Sequence, residues 1–319
     1  MAEKKQKRTT IGGQAVIEGI MMRGVNRSAM AVRKTDGGIA VEEWEHKAAS
    51  TVWYKKTPFI RGIFNFVDQM ASGYQCIMKS AELSGMDLED EEPSKFEKKL
   101  MEIFGDKLMD VISMVAMVLG VGLAVVLFIA LPTLISKGVN FLSGGILPNF
   151  VLSLLEGAIK IVVMVCYMAL VRNMKEMYRM FSYHGAEHKT IACYEAGEEL
   201  TVENVRKYTR LHPRCGTSFL LIVLIISILV FSVLTWDKAL VRVVLKLVLL
   251  PVVVGIAYEI IKLAGRHDNA VTRFISWPGL MLQRITTIEP EDDMIEIAIE
   301  AMKRVIPKEE GHRCGQEVY

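Results

Sequence analysis

VISMVAMVLGVGLAVVLFIAL, residues 111–131, runs for twenty-one residues without a charge and decides the class of the whole chain. A helix of that length extends about 31 Å, the thickness of the hydrocarbon core of a bilayer. Three further apolar stretches follow. Residues 150–171 contain Glu156 and Lys160. Residues 217–236 are again free of charge. Residues 240–264 carry Arg242, Lys246, Pro251 and Glu259. With 51% hydrophobic residues and a mean hydropathy of +0.30, the chain is more apolar than an ordinary soluble domain.

The lysines and arginines orient these stretches, because they concentrate on the cytoplasmic side of span ends. Seventeen precede residue 111, eight lie within 172–214, and eight follow from Lys262 onward, whereas the two remaining connections hold only Lys137 and Lys238. This asymmetry predicts an α-helical membrane protein of about four transmembrane helices with both termini cytoplasmic. A small cytoplasmic α+β portion then comes from the N-terminal segment, the 172–215 loop and the C-terminal tail. The basic start Lys4, Lys5, Lys7, Arg8 leads into Thr9-Thr10-Ile11-Gly12-Gly13 and not into an apolar run, so no cleaved signal is expected. The bilayer is one expected partner. Nucleic acid is not, since the net charge is only +2 and no basic stripe is interleaved with aromatics. The five cysteines all fall on the inner side or within spans of this topology, which predicts reduced thiols.

The expected organisation begins with a strand-rich N-terminal domain and an aromatic amphipathic helix over 1–86. An acidic linker and short helix occupy 87–108, the first two transmembrane helices 109–171 and a His/Cys loop 172–215. Transmembrane helices three and four fill 216–265, and a C-terminal cytoplasmic segment covers 266–319. Ala15-Val16-Ile17, Ala29–Val32 and Ile39–Trp44 read as strands, with Asp36-Gly37-Gly38 as the hairpin turn between the last two. Phe59, Ile60, Ile63, Phe64, Val67, Met70 and Tyr74 recur at helical spacing, giving a helix over 58–83 that packs on the strands or lies in the membrane interface. Lys95–Lys107 reads as a short amphipathic helix after the acidic break Asp87–Glu92. Near the end, Trp277-Pro278-Gly279 is expected to break the chain. A helix after Glu289-Pro290-Glu291-Asp292-Asp293 carries Met294, Ile297, Ala298, Ala301 and Met302 on one face.

The chemistry is expected in 172–215. His184-Gly185-Ala186-Glu187-His188 has the H-x-x-E-H form, which on a helix places two imidazoles one turn apart with a carboxylate beside them. His212-Pro213-Arg214-Cys215 adds an imidazole and a thiol at the spacing of half a zinc site. His184, His188, His212 and Cys215 form the candidate ligand set for a divalent metal, zinc by donor type, with Glu187 as a candidate general base. Four ligands close a structural site and three leave a catalytic position open. Cys193 is a possible substitute ligand or a buried apolar thiol. His46 and His267 read as incidental. Within the apolar stretches, Glu156 with Lys160 and Arg242 with Lys246 are each four apart, so each pair shares a helix face. Glu156 and Lys246 also lie at similar depth, where an interhelical ion pair is possible.

Residues 12–24 (GGQAVIEGIMMRG), 184–189, 212–219 and 278–287 together resemble the YqhQ-type family of bacterial membrane proteins. The resemblance spans nearly the whole chain. It implies a bacterial cytoplasmic-membrane location and a domain of unknown function whose usual label is that of a predicted metal-dependent enzyme. Residues 12–24 lack the lysine and spacing of a phosphate loop, and read as a structural or docking segment. Two functions follow. One is a non-catalytic accessory of membrane machinery, for protein translocation or lipids, that docks protein partners at the cytoplasmic face. The other is a membrane-bound, hydrolase-like metal enzyme. The leaning is to the accessory, because four ligands close a site. Four spans are few for a transporter unless the chain self-associates, and no inverted repeat is visible.

Overall fold

The computed structural model describes residues 9–45, 53–85, 108–213, 215–233, 239–266 and 269–307. The basic tail Lys4–Arg8, His46, the acidic break, the 95–107 helix, Arg214, Lys238 and His267 lie outside them, as do the side chains of Arg242 and Lys246. The chain divides into two units. The first comprises 1–86, 168–227 and 238–319, and the second comprises 87–167 and 228–237.

The first unit is built on a four-stranded antiparallel meander, β1 (Gly12–Val16), β2 (Gly19–Arg23), β3 (Arg27–Arg33) and β4 (Ile39–Glu45), in the order β1-β2-β3-β4. β2 is additional to the three expected strands. Its Ile20-Met21-Met22 run has no polar alternation because both faces of the sheet are covered. Ile20, Met22, Ala29 and Ala31 belong to one core, while Val16, Met21, Met30 and Val32 pack with Cys76, Ile77 and Leu83 on the other side. The glycine-rich segment is therefore the β1–β2 hairpin, and Gly19 pairs with Val32 where a Cβ would fall 2.3 Å from the Ala31 carbonyl oxygen. The Asp36-Gly37-Gly38 turn forms as expected. Gly37 takes φ +83, and Asp36 Oδ1 accepts the Gly38 N–H at 2.8 Å.

α1 (Ile60–Ser84) supplies Cys76, Ile77 and Leu83 to the second core. The first core is closed by α5 (Lys175–Glu195) and α10 (Asp292–Val305). α10 forms as expected, with Asp292 and Asp293 in its first turn and Lys303 and Arg304 in its last, the charge order that suits the helix dipole. Met294, Ile297, Ala298, Ala301 and Met302 are all buried. α5 turns the centre of the expected 172–215 loop into a helix buried almost all round from Phe181 to Cys193. A short α6 (Val202–Arg206) follows, capped by the Thr201 hydroxyl.

α2 (Leu108–Val125), a π turn (Val126–Ala130) and α3 (Leu131–Leu142) continue one another, so the first apolar segment runs past residue 131 to Leu142. Pro132 has no N–H to donate, and the register shifts where the Leu131 N–H bonds to the Val126 carbonyl. α4 (Asn149–Val171) matches the second stretch. Among the described residues, two helical segments are long and apolar enough to cross a membrane, Met117–Leu142 and Asn149–Val171. The third stretch appears as α7 (Gly216–Val233), apolar but shorter. The fourth appears as α8 (Ala239–Arg266), with Pro251 inside it.

α9 (Ala270–Thr286) corrects the expected break at Trp277-Pro278-Gly279, since the helix runs straight through those residues. Asn269 starts it with a reciprocal capping box to Thr272. Gly279 sits where a Cβ would fall 2.5 Å from Ser218 Oγ, so tertiary packing holds the helix across a proline that removes one backbone bond.

Candidate metal centre

α5 places His184 and His188 on one face, and the residue just before α7 brings Cys215 against them. One donor atom from each, two imidazole nitrogens and the thiol sulfur, lie within 4.8 Å of one another. His184 Nε2 is 3.1 Å from Cys215 Sγ, and the His184 and His188 rings meet edge to face with centroids 4.5 Å apart. Each ring has its other nitrogen engaged by the backbone. His184 Nδ1 lies 2.9 Å from the Thr286 carbonyl oxygen, and His188 Nδ1 lies 2.5 Å from that of Arg210. A carbonyl only accepts, so Nδ1 carries the proton in both neutral rings and Nε2 keeps its lone pair.

His188 is 1% exposed, and its Nε2 has no hydrogen-bond partner among the described residues. A buried nitrogen lone pair beside a second imidazole and a thiol is the arrangement that a borderline-soft divalent ion satisfies. Burial, and then the neighbouring His184 imidazole, hold the His188 imidazole below its ordinary value. At Cys215 burial opposes ionisation, but the His188 imidazole and the Thr217 hydroxyl and N–H outweigh it, so the thiol lies below its ordinary value.

Glu187 is 5% exposed, and its carboxylate accepts the Gly13 N–H. Burial pushes its pKa up to about 7. The Cys215 charge acts in the same direction, against His184 and the Gly13 N–H. The glycine is required there, because a Cβ on Gly13 would fall 2.9 Å from Glu187 Cδ. Gly185, in the middle of H-x-x-E-H, is required for a similar reason. A Cβ there would lie 2.0 Å from the Ile288 carbonyl oxygen.

The fourth predicted ligand, His212, stands beside the trio. Its ring centroid is 5.6 Å from that of His188, and its Nε2 faces Glu195 Oε2 at 3.8 Å. Gln283, fully buried, fixes the backbone of His212 from both ends of its amide. Its Oε1 accepts the His212 N–H at 2.8 Å, and its Nε2 donates to the His212 carbonyl at 2.7 Å and to Ser218 Oγ at 3.0 Å. Gln283, Thr286 and Glu195 were not among the residues picked out from the sequence as functional. The first two lie in the 278–287 motif, whereas Glu195, which also accepts the Thr9 N–H at 2.7 Å, has no local signal. Cys193 is fully buried in the first core and stands outside the donor cluster. Lys189, also buried, pairs with Glu289 and donates to the Arg206 carbonyl at 3.0 Å, which anchors the same helix. Away from this centre, Glu156 and Lys160 of α4 bond each other at 2.6 Å within one helix.

All four motifs that carry the family resemblance therefore meet at one place: Gly13 on Glu187, His184 and His188 on α5, Cys215 and Ser218 at the start of α7, and Gln283 and Thr286 at the end of α9. Comparison with known proteins bears out the family resemblance. The family described as "Protein of unknown function (DUF1385)" matches residues 57–308. The uncharacterized protein YqhQ of Bacillus subtilis (strain 168) is 34% identical over 302 residues, covering 92% of each chain. No solved structure matches. By that coverage and identity, the chain belongs to the DUF1385 family of proteins of unknown function.

Proposed function

We propose that this protein is a multi-pass bacterial membrane protein that works as a hydrolase-like metal enzyme, its metal centre on the cytoplasmic face. The topology is four spans with both termini inside, α7 and α8 joining the two longer apolar segments. The observation that carries the enzymatic reading is the donor set. Two imidazoles with their Nδ1 atoms tied to carbonyls converge with one thiol, and the third imidazole, His212, faces Glu195 at 3.8 Å. Three protein ligands leave a coordination position for a reactant, whereas four close the site.

His184, His188 and Cys215 would hold zinc, which supplies Lewis acidity when bound. Glu187 is the proton acceptor. It is buried one residue from a ligand, and the Gly13 N–H fixes the orientation of its carboxylate. His212, with Glu195 behind it, is the second group able to move a proton at this site. Gln283 keeps its backbone in place.

The second reading is a closed structural centre in a non-catalytic accessory that docks protein partners of translocation or lipid machinery. The nearness of His212 to His188 favours it. Cobalt substitution separates the two. In the enzymatic reading the Co(II) protein shows a thiolate charge-transfer band that Cys215→Ser removes. Its d–d spectrum shifts when a small ligand such as azide or acetohydroxamate is added. A spectrum indifferent to added ligand in the wild type, but responsive in His212→Ala, is the signature of the closed site and contradicts the enzyme.

A further inference from the structure

Two helices of the first unit are inverted in polarity. α9 buries Thr272, Ser276, Gly279, Gln283 and Thr286, all small or polar, and with them a single large apolar residue, Leu282. It turns Val271, Phe274 and Trp277 outward, Phe274 being 78% exposed. α1 buries Gly62, Gly73, Cys76, Ser80 and Ser84, and exposes Phe64, Val67, Met70, Tyr74 and Met78, which follow one another at three- and four-residue steps along a single stripe. A helix on the surface of a water-soluble domain does the opposite. Inversion in two helices so far apart in sequence means that the medium outside them is apolar.

Both helices pack on α8, whose own outward residues include Val244, Val248, Val252 and Leu263. The start of α1 meets α8 well inside that helix. A Cβ on Gly62 would touch the Tyr258 side chain, a Cβ on Gly255 would lie 2.8 Å from the Phe59 carbonyl oxygen, and Arg61 forks onto the Glu259 carboxylate. These contacts fall seven to eleven residues before the end of α8 at Arg266, about 10–16 Å along its axis. Glu259, an acid in a proposed span, is thereby paired and also accepts the Phe59 N–H, the condition under which such a residue is tolerated there. Trp277, Phe274 and Tyr74 are the residue types of a membrane–water boundary, and Arg273 and Arg284 lie on α9 beside its apolar stripe, where phosphate headgroups would meet them.

We infer that the outward faces of α1 and α9 are seated in the phospholipid of the cytoplasmic leaflet, flanking α8, so that the metal centre is held at the membrane surface. The inference rests on the spanning topology proposed above. It makes Val67, Tyr74, Phe274 and Trp277 lipid contacts.

The test uses the full chain in vesicles of phosphatidylethanolamine and phosphatidylglycerol, with the photo-crosslinker benzoylphenylalanine in place of Val67, Tyr74 or Phe274. Val118 of α2 serves as the membrane control and Glu296 of α10 as the water control. Expected are lipid adducts at Val67, Tyr74, Phe274 and Val118, several times more abundant than at Glu296. Adducts at Val118 alone overturn the inference and leave the spanning topology intact. Adducts joining two copies of the chain at Val67, Tyr74 or Phe274 overturn it in favour of a self-association face. No lipid adduct at Val118 removes the topology and the inference together. Quenching of native Trp277 by brominated phospholipid, read as the difference between wild type and Trp277→Phe, repeats the test without a bulky probe, and the absence of quenching overturns the inference.

Discussion

α4 and α5 each carry two polar side chains one helical turn apart, and the fates of the two pairs differ. In α4, Glu156 and Lys160 pair with each other within the one helix, and they form no part of the donor cluster. In α5, His184 and His188 do not satisfy each other. Each gives one nitrogen to a distant carbonyl and turns the other toward a thiol from a third segment. Identical spacing therefore says little about function. What makes a site is the arrival of other elements that leave one buried atom without a partner.

The largest way to break this comparison is through the glycines that admit those elements. Gly185→Ala sets a Cβ 2.0 Å from a backbone oxygen that cannot move without displacing the 286–290 segment, whereas Gly157→Ala in α4 meets only the side chain of Ile228 at 2.5 Å. Overpacking costs about 1–3 kcal/mol where neighbours can adjust and more where they cannot. Gly185→Ala should abolish most folded protein, and Gly157→Ala should lower the thermal midpoint modestly. Equal loss in both variants would remove the distinction.

Gln283→Leu comes next. It strands the N–H and C=O of His212 in a partly buried setting, at a cost of about 1–3 kcal/mol. It should lower the denaturation midpoint while His184, His188 and Cys215 still bind metal. On α4, Glu156→Ala alone leaves a lysine without its partner and should destabilise more than the double change Glu156→Gln with Lys160→Met, because removing both halves of a pair also removes the desolvation penalty. A double variant worse than the single one would show that the pair does more than satisfy itself.

The smallest effect is a pH slope. Burial raises the Cys193 thiol from 9.0 to about 11, so the folded chain keeps a proton that the unfolded chain releases. The stability this thiol contributes is complete below pH 9 and is lost as pH climbs from 9 to 11. Cys193→Ala should lessen the alkaline slope in that window and leave metal content unchanged. A slope unchanged from wild type contradicts the assignment of Cys193 as a structural thiol.

The parts of the molecule written in periodicity were legible. The apolar helix α4, the C-terminal helix with Met294, Ile297 and Met302, and the β3–β4 turn at Gly37 all follow from local pattern. β2 was not, because a strand buried on both faces loses its alternation. α9 was not, because Pro278 and Gly279 read locally as a break, and only packing on Ser218 shows why a glycine stands inside the helix. At the centre, residue types and spacing singled out His184, His188 and Cys215, which the fold brings together, and Glu187 next to them in sequence. Which atoms are free and which engaged was invisible. The Thr286 and Arg210 carbonyls, the Gly13 N–H and the Gln283 clamp are backbone-directed contacts across long sequence separations, and residue identity carries no trace of them. That His212 stands beside the trio, its ring 5.6 Å from that of His188, was hidden in the same way.

The most direct test is metal content by mass spectrometry on the detergent-purified protein after zinc-replete expression, with wild type beside His188→Ala, Cys215→Ser and His212→Ala. A three-donor centre predicts about one zinc per chain in wild type, loss in His188→Ala and Cys215→Ser, and retention in His212→Ala. Zinc absent from wild type, or lost with His212 as completely as with His188, would contradict it.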